Sequence, residues 1–175
     1  KNLSIVKSGS SAWTLAGTNT YTGATNVTEG TLSITGSIAA SPCTVANGAT
    51  LRVASGSPSM ISAGNNATFS TVSGTIASIS VGGASGVTLG GATTGQKALL
   101  NLEADGLGAD SLSIANNLIV GAGGVNITIT DLGVASGQSY TLATFAAGAG
   151  AGFATGNGTT VGAITLTNPN LAFGV

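Results

Sequence analysis

The sequence predicts an all-β chain coiled as a parallel β-solenoid, and three observations predict it. Apolar and polar residues alternate over short runs, with no sustained i, i+3, i+4 apolar stripe that would mark a helix. A pattern close to 19 residues long recurs through the first half of the chain. Charge is nearly missing: 4 Lys or Arg and 5 Asp or Glu stand among 175 residues, while 42% are hydrophobic. Low charge with that apolar content separates the chain from disordered sequences, which combine few apolar residues with high net charge.

The alternating runs begin at Leu3-Ser-Ile5, Trp13-Thr-Leu15, Leu32-Ser-Ile34 and Leu51-Arg-Val53. They continue at Ile79-Ser-Val81, Val87-Thr-Leu89, Leu112-Ser-Ile114 and Val125-Asn-Ile-Thr-Ile129, then at Tyr140-Thr-Leu142, Ile164-Thr-Leu166 and Leu171-Ala-Phe173. Gly, Asn and Ser clusters separate them, as turns require. The run Val27-Thr-Glu-Gly-Thr-Leu32-Ser-Ile34 returns as Val45-Ala-Asn-Gly-Ala-Thr-Leu51-Arg-Val53 with one residue inserted. Taking Leu32, Leu51, Phe69 and Leu89 as markers gives steps of 19, 18 and 20, so each coil should hold 18–20 residues. Coils of that size stack their strands in parallel about 4.8 Å apart, with inward Val, Leu and Ile forming columns. Stacking also explains the low charge, because like charges in register would repel along a column, whereas Thr, Ser and Asn ladders do not.

At that period the 175 residues make about nine coils and about 40 Å of stack. This reads as one elongated domain, 1–175, with regular coils in 1–95 and a less regular part in 96–175. There the strands lengthen around Leu100, Leu102, Ile127, Ile129, Leu142 and Phe145, and the Ala-Gly tract from Ala146 to Gly152 reads as a loop. The alternative architecture is an antiparallel β-sandwich or jelly roll. It needs tight hairpins, for which Asn47-Gly48 and Asn157-Gly158 are the available pairs.

Composition also excludes chemistry. His is absent and Cys43 stands alone, which removes imidazole bases, Cys/His zinc sites and an intrachain disulfide. Cys43 reads as a small buried apolar residue. No catalytic set and no cofactor site emerge, and the chain reads as non-enzymatic. Lys1, Lys7, Arg52 and Lys97 are scattered, so no basic patch invites nucleic acid. No apolar run nears the roughly 18 residues of a membrane helix, so no transmembrane segment is expected. Starting at Lys1 and ending in Leu-Ala-Phe-Gly-Val, the chain reads as a processed or excised segment.

The most specific stretch is Trp13-Thr-Leu15-Ala-Gly17-Thr-Asn19-Thr-Tyr21-Thr-Gly23-Ala-Thr25-Asn-Val27-Thr-Glu-Gly30-Thr-Leu32-Ser-Ile34. It resembles the autotransporter-associated β-strand repeat, which reads W-x-L-x-G-x-N-T-Y-x-G-x-T-x-V-x-x-G-T-L-x-V, here with Ile34 for the last Val. A looser likeness, to the segment that commonly follows such repeats, runs from Leu100 to Leu142. The resemblance implies a right-handed β-helix, secreted and displayed on a bacterial cell surface, with a structural or adhesive role. The chain departs from a full autotransporter in having no translocating barrel segment.

Four candidate sites follow. Trp13 and Tyr21 read either as plugs near one end of the stack or as a platform for sugar faces on a cell-surface or matrix polysaccharide. The stretch Glu103-Ala-Asp105-Gly-Leu-Gly108-Ala-Asp110 nearly fits one calcium-binding nonapeptide, which makes Asp105 and Asp110 weak calcium candidates, although a solvated turn fits as well. Thr-x-Thr pairs at Thr18-x-Thr20-x-Thr22, Thr128-x-Thr130 and Thr165-x-Thr167 are too irregularly spaced to make a flat ice-binding array. Finally, an open end of a parallel stack is an unpaired sheet edge. No charged cap is evident at Leu3, Ile5 and Val6 or at Leu171, Phe173 and Val175. These residues are therefore expected to join copies head to tail into a filament, the chain's main partner being itself.

Overall fold

The computed structural model describes residues 2–38, 40–133, 139–150 and 162–167, with backbone alone for 147–150 and 162–167. All the regular structure among them is strand. The first coil contains β1 (Ile5–Lys7), β2 (Ala12–Leu15) and β3 (Thr18–Asn19), and the second β4 (Thr25–Val27), β5 (Thr31–Ile34) and β6 (Ser37–Ile38). Then come β7 (Pro42–Val45), β8 (Thr50–Val53), β9 (Met60–Ala63) and β10 (Thr68–Ser70). Wider coils carry β11 (Ser78–Val81), β12 (Gly86–Leu89), β13 (Ala98–Ala104), β14 (Ser111–Val120) and β15 (Val125–Asp131), before β16 (Ser139–Gly150) and β17 (Gly162–Thr167).

Each coil lays one strand on each of two sheets. Sheet A runs β1-β4-β7-β9-β12-β14-β16-β17, with β11 also on β14, and sheet B runs β2-β5-β8-β10-β13-β15. A short third sheet pairs β3 with β6. Every pairing between named strands is parallel except that of β16 with β17. The chain is a parallel β-solenoid, and the hairpin sandwich is excluded. Hairpins join antiparallel neighbours, whereas here each strand reaches its parallel partner by going once around the coil.

Register identifies the columns. In sheet B, Trp13 lies opposite Leu32, Leu32 opposite Leu51, and Leu51 opposite Phe69, steps of 19, 19 and 18. The expected next marker, Leu89, is not in this column. Phe69 faces Leu100, 31 residues on, and Leu89 sits in sheet A between Ala63 and Val120. The cause is an insertion: residues 71–85 add a strap and β11, so the ten-residue β14 backs β11 and β12 side by side. Longer coils mean fewer of them. Among the described residues sheet B has six levels, about 25 Å of stack at strand spacing, against about nine coils expected for the chain.

Two further local corrections follow from pairing. The tract read as a loop is strand as far as Gly150, because Ala147 to Gly150 ladder onto Asn117 to Val120 of β14. A neighbour's backbone supplies the order that Ala and Gly lack by themselves. Strands β7 and β9 carry weak sequence signals, yet each is clamped between parallel neighbours. Pro42 is tolerated at the first residue of β7, where the missing N–H costs least.

The core is the set of inward columns, with Val27, Val45, Ala63 and Leu89 along sheet A and Leu32, Leu51, Phe69 and Leu100 along sheet B all buried. Close stacking of the first two corners depends on Gly36. A Cβ there would lie 2.0 Å from the Gly17 carbonyl oxygen, so any side chain would force coil two off coil one.

Candidate functional site at the ends of the stack

The outermost coil exposes one edge of each sheet among the described residues: β1, β2 and β3 each pair with one strand. These edges differ chemically. In β1, Lys7 occupies the inward column that continues as Val27, Val45 and Ala63. It is fully buried, and its Nζ donates to the carbonyls of Ser8 (2.9 Å), Gly9 (2.5 Å) and Glu29 (3.0 Å). The Glu29 carboxylate in turn accepts the Gly9 N–H at 3.1 Å. An inward-pointing Lys on an edge strand discourages further pairing, since an incoming strand would have to cover a charge. In the sequence Lys7 was one of four scattered bases; its column position, visible through the Val27 and Val45 repeat, is the signal that could have singled it out.

At β3, the Asn19 Nδ2 donates to the carbonyls of Gly17 (3.2 Å) and of Ser37 in the next coil (3.1 Å), tying the first coil to the second. Strand β2 has no inward charge like Lys7. Trp13, in the column that continues as Leu32, is 47% exposed, and the Lys7 ammonium lies 5.5 Å from its ring centroid. The same column ends at Ile127 on β15, which is 37% exposed, while Leu32, Leu51, Phe69 and Leu100 between them are buried. Among the described residues the ladder stops at Trp13 and at Ile127, which leaves both uncovered although they stand in an inward column.

Tyr21 departs from the sugar-platform expectation. It is 6% exposed and belongs to the core. Its hydroxyl lies 2.9 Å from Thr25 Oγ1, which lies 2.9 Å from Ser41 Oγ, and Ser41 donates to the Gly23 carbonyl at 2.8 Å. That last bond fixes the direction of the relay, with Tyr21 donating to Thr25 and Thr25 to Ser41. Burial raises the Tyr21 pKa above the ordinary phenol value. Trp13 alone remains accessible to a sugar.

The two calcium candidates also have structural partners. Both carboxylate oxygens of the buried Asp110 accept hydrogen bonds, from Thr71 Oγ1 (2.5 Å), Ala77 N–H (2.6 Å) and Glu103 N–H (2.8 Å). Burial is the main reason its pKa is raised; the three donors oppose it, and the Glu103 charge adds to the rise. Asp105 folds its Oδ1 onto its own turn, accepting from Leu107 and Gly108 N–H at 2.8 Å each. Nearby, Glu103 accepts from the Ser73 and Gly74 N–H groups. Asp110 and Glu103 tie the 71–77 strap to the stack, and among the described residues no three His, Cys, Asp or Glu side chains form a group able to hold a metal ion.

The six residues expected to join copies divide between the ends. Leu3 and Val6 are exposed on the first coil and Ile5 is half-buried. Leu171, Phe173 and Val175 lie outside the described residues. At the far end, sheet B presents β15, whereas sheet A runs on through β16 to the antiparallel β17. Cys43 is buried between Thr25 and Ile61, and burial pushes its thiol up to about 12. No helix among the described residues is long and apolar enough to cross a membrane.

Residues 5–34 match the family model of the passenger-associated-transport-repeat. The match contains the stretch, 13–34, whose residues resemble the autotransporter-associated repeat and runs from β1 to β5, so the first coil is itself part of a recognised repeat. No curated protein matches the chain.

Proposed function

We propose that this chain is a non-enzymatic, structural and adhesive section of a secreted bacterial surface protein, and that its solenoid associates with further copies through its uncovered ends. The passenger-type repeat in residues 5–34 supports extracellular display. The observation that carries the association is the exposure profile of one column: Trp13 and Ile127 are uncovered at its two ends, with buried Leu32, Leu51, Phe69 and Leu100 between. Large apolar side chains left open beside an unpaired edge favour a further layer. Sedimentation velocity over a wide concentration range tests the reading. Species heavier than the 16.5 kDa chain should grow with concentration; a single monomer boundary throughout rejects it.

A glycan-binding module is the second reading, and it rests on Trp13 by itself. Its indole is half-exposed at the uncovered end of its column. Loss of binding to a polysaccharide panel on Trp13→Ala would support that reading, and absence of any binding by the unaltered chain would remove it.

A further inference from the structure

Asn47-Gly48, which the sequence offered as a hairpin link, is instead a corner of the stack, joining β7 on sheet A to β8 on sheet B. The Ala49 N–H donates to the Ala46 carbonyl at 3.0 Å, and Gly48 has φ of 74°, the signature of a type II turn with glycine in its third place. Both Asn47 and Gly48 are exposed, and a Cβ at Gly48 would meet nothing within 4 Å. The turn therefore stands clear of its neighbours. Among the described asparagines Asn47 alone precedes a glycine; every other is followed by a residue with a side chain.

We propose that Asn47 is a site of spontaneous deamidation. The Gly48 nitrogen forms a bond to the Asn47 side-chain carbon Cγ, and the bond from Cγ to Nδ2 breaks. Nδ2 leaves as ammonia, carrying the proton that the Gly48 amide gives up, and a five-membered succinimide remains. Water then opens this ring at either carbonyl. Opening at Cγ leaves aspartate; opening at the backbone carbon leaves isoaspartate, whose main chain is one carbon longer. Neither step needs an oxidant or a cofactor. A glycine after the asparagine matters because its nitrogen carries no side chain beside it to crowd the ring.

The fold sets the pace and the consequence. The Gly48 N–H donates to the Asn66 carbonyl of the next coil at 3.2 Å, and that bond must open before the nitrogen can attack. It lies at the long end of the N–H···O range and on an exposed turn, so opening it leaves the buried columns in place. The Asn19 and Asn116 amides, by contrast, are tied to carbonyls. The extra backbone carbon of isoaspartate has to be absorbed between fixed points, the Ala46 N–H on the Val27 carbonyl and the Thr50 N–H on the Gly30 carbonyl, each at 2.9 Å. Either product also adds a negative charge two residues past Val45, where Glu29 already stands two residues past its register partner Val27. Water does not return the amide. The corner between β7 and β8 thus loosens with time and in one direction.

The test is to age the chain Lys1–Val175 in mildly alkaline buffer and follow each asparagine by peptide mass spectrometry that locates the residue. Asn157-Gly158, outside the described residues, is read in its own peptide. Asn47 should convert at least tenfold faster than Asn65 or Asn101, to both aspartate and isoaspartate. Denaturant should speed it further by freeing the Gly48 N–H. Gly48→Ala, with open space for its methyl group, should slow it at least tenfold while circular dichroism shows the fold retained. The isoaspartate form should melt on the order of 5 °C below fresh protein, and Asn47→Asp, which adds the charge without the extra carbon, should fall less. Conversion of Asn47 no faster than that of Asn65 or Asn101 overturns the site. An undiminished rate in Gly48→Ala overturns the attack by its nitrogen, and an aged form that melts with the fresh one overturns the loosening of the corner.

Discussion

Asp110 offers the most direct test of how the wide coils are held. Truncation by Asp110→Ala removes the acceptors of three donors: Thr71 Oγ1, Ala77 N–H and Glu103 N–H. Thr71 keeps a second acceptor, the Asn101 carbonyl at 3.3 Å, so two backbone N–H groups are left without a partner. An orphaned buried donor costs about 1–3 kcal/mol. Against this stands the relief of removing a desolvated carboxylate, so a net loss of about 2–4 kcal/mol is expected. For a chain of this length each kcal/mol moves the melting midpoint by about 2–4 °C, which places the variant on the order of 10 °C below the parent. Thermal melts by far-ultraviolet circular dichroism measure this. Hydrogen exchange should show the loss first in residues 71–81, because β11 pairs with β14 alone. Asp105→Ala, which frees two N–H groups on a largely exposed turn, should cost less than half as much. An Asp110→Ala melt within 2 °C of the parent would mean that the strap is held by something other than this carboxylate.

Asp110 should also make stability depend on pH: its folded pKa lies above the unfolded value, so its contribution is fully present below the unfolded value and is lost as pH rises through the folded one. A melting series in mild acid should show that gain in the parent and not in Asp110→Ala; equal profiles would dismiss it. The Cys43 thiol, pushed up to about 12 and buried, should resist alkylation at pH 8 until the chain is unfolded, and rapid labelling of the native protein would contradict its placement. Gly36→Ala, whose Cβ would meet the Gly17 backbone at 2.0 Å, should destabilise more than Gly48→Ala, where a positive φ is strained but the space is open; chemical denaturation gives the order, and the reverse order would refute the packing of the first two coils. Ser33 adjoins Arg52 in register, so Ser33→Lys should be less stable than Ser33→Asp by about 1 kcal/mol at low salt, a gap that closes at high ionic strength and whose absence at low salt would deny that the two positions are neighbours.

The part of the fold visible in the sequence is the part where local pattern and stacking agree. Leu32, Leu51 and Phe69 recur because three coils of nearly equal length put them in one column, and spacing alone reveals that. The step to Leu100 was hidden because the insertion 71–85 contains its own alternating run, Ile79-Ser-Val81, which imitates a regular coil. Only pairing distinguishes a strand that widens a level from one that starts the next. Tyr21 and Trp13 looked equivalent as aromatics near turn glycines, yet one lies over the Thr25 and Ser41 hydroxyls and the other at the terminus of a ladder. That difference depends on which coil is last, which composition does not encode. Asp105 and Asp110 were visible as an acidic cluster, but their N–H partners come partly from residues more than thirty positions earlier, such as Ala77.

Register also explains where charge is permitted. Parallel stacking brings equivalent positions to about 4.8 Å, a distance at which two like charges cost on the order of 1 kcal/mol in water and several times that near a protein surface. Arg52 is flanked by Ser33 and Ser70, Glu103 pairs with Thr130, Asp131 with Ala104, and Lys7 with Val27. Among these ladders no two charged residues share a register. The scarcity of charge is therefore a property of columns: each tolerates one charge, and adding more coils adds neighbours without adding places to put another. Among the described residues, Lys7 and Trp13 each have a ladder neighbour on one side, Val27 and Leu32. An indole gains much from being covered, so the physical argument for a further layer, supplied by this chain or by another copy, rests on what occupies the end of the column as much as on the unpaired strand itself.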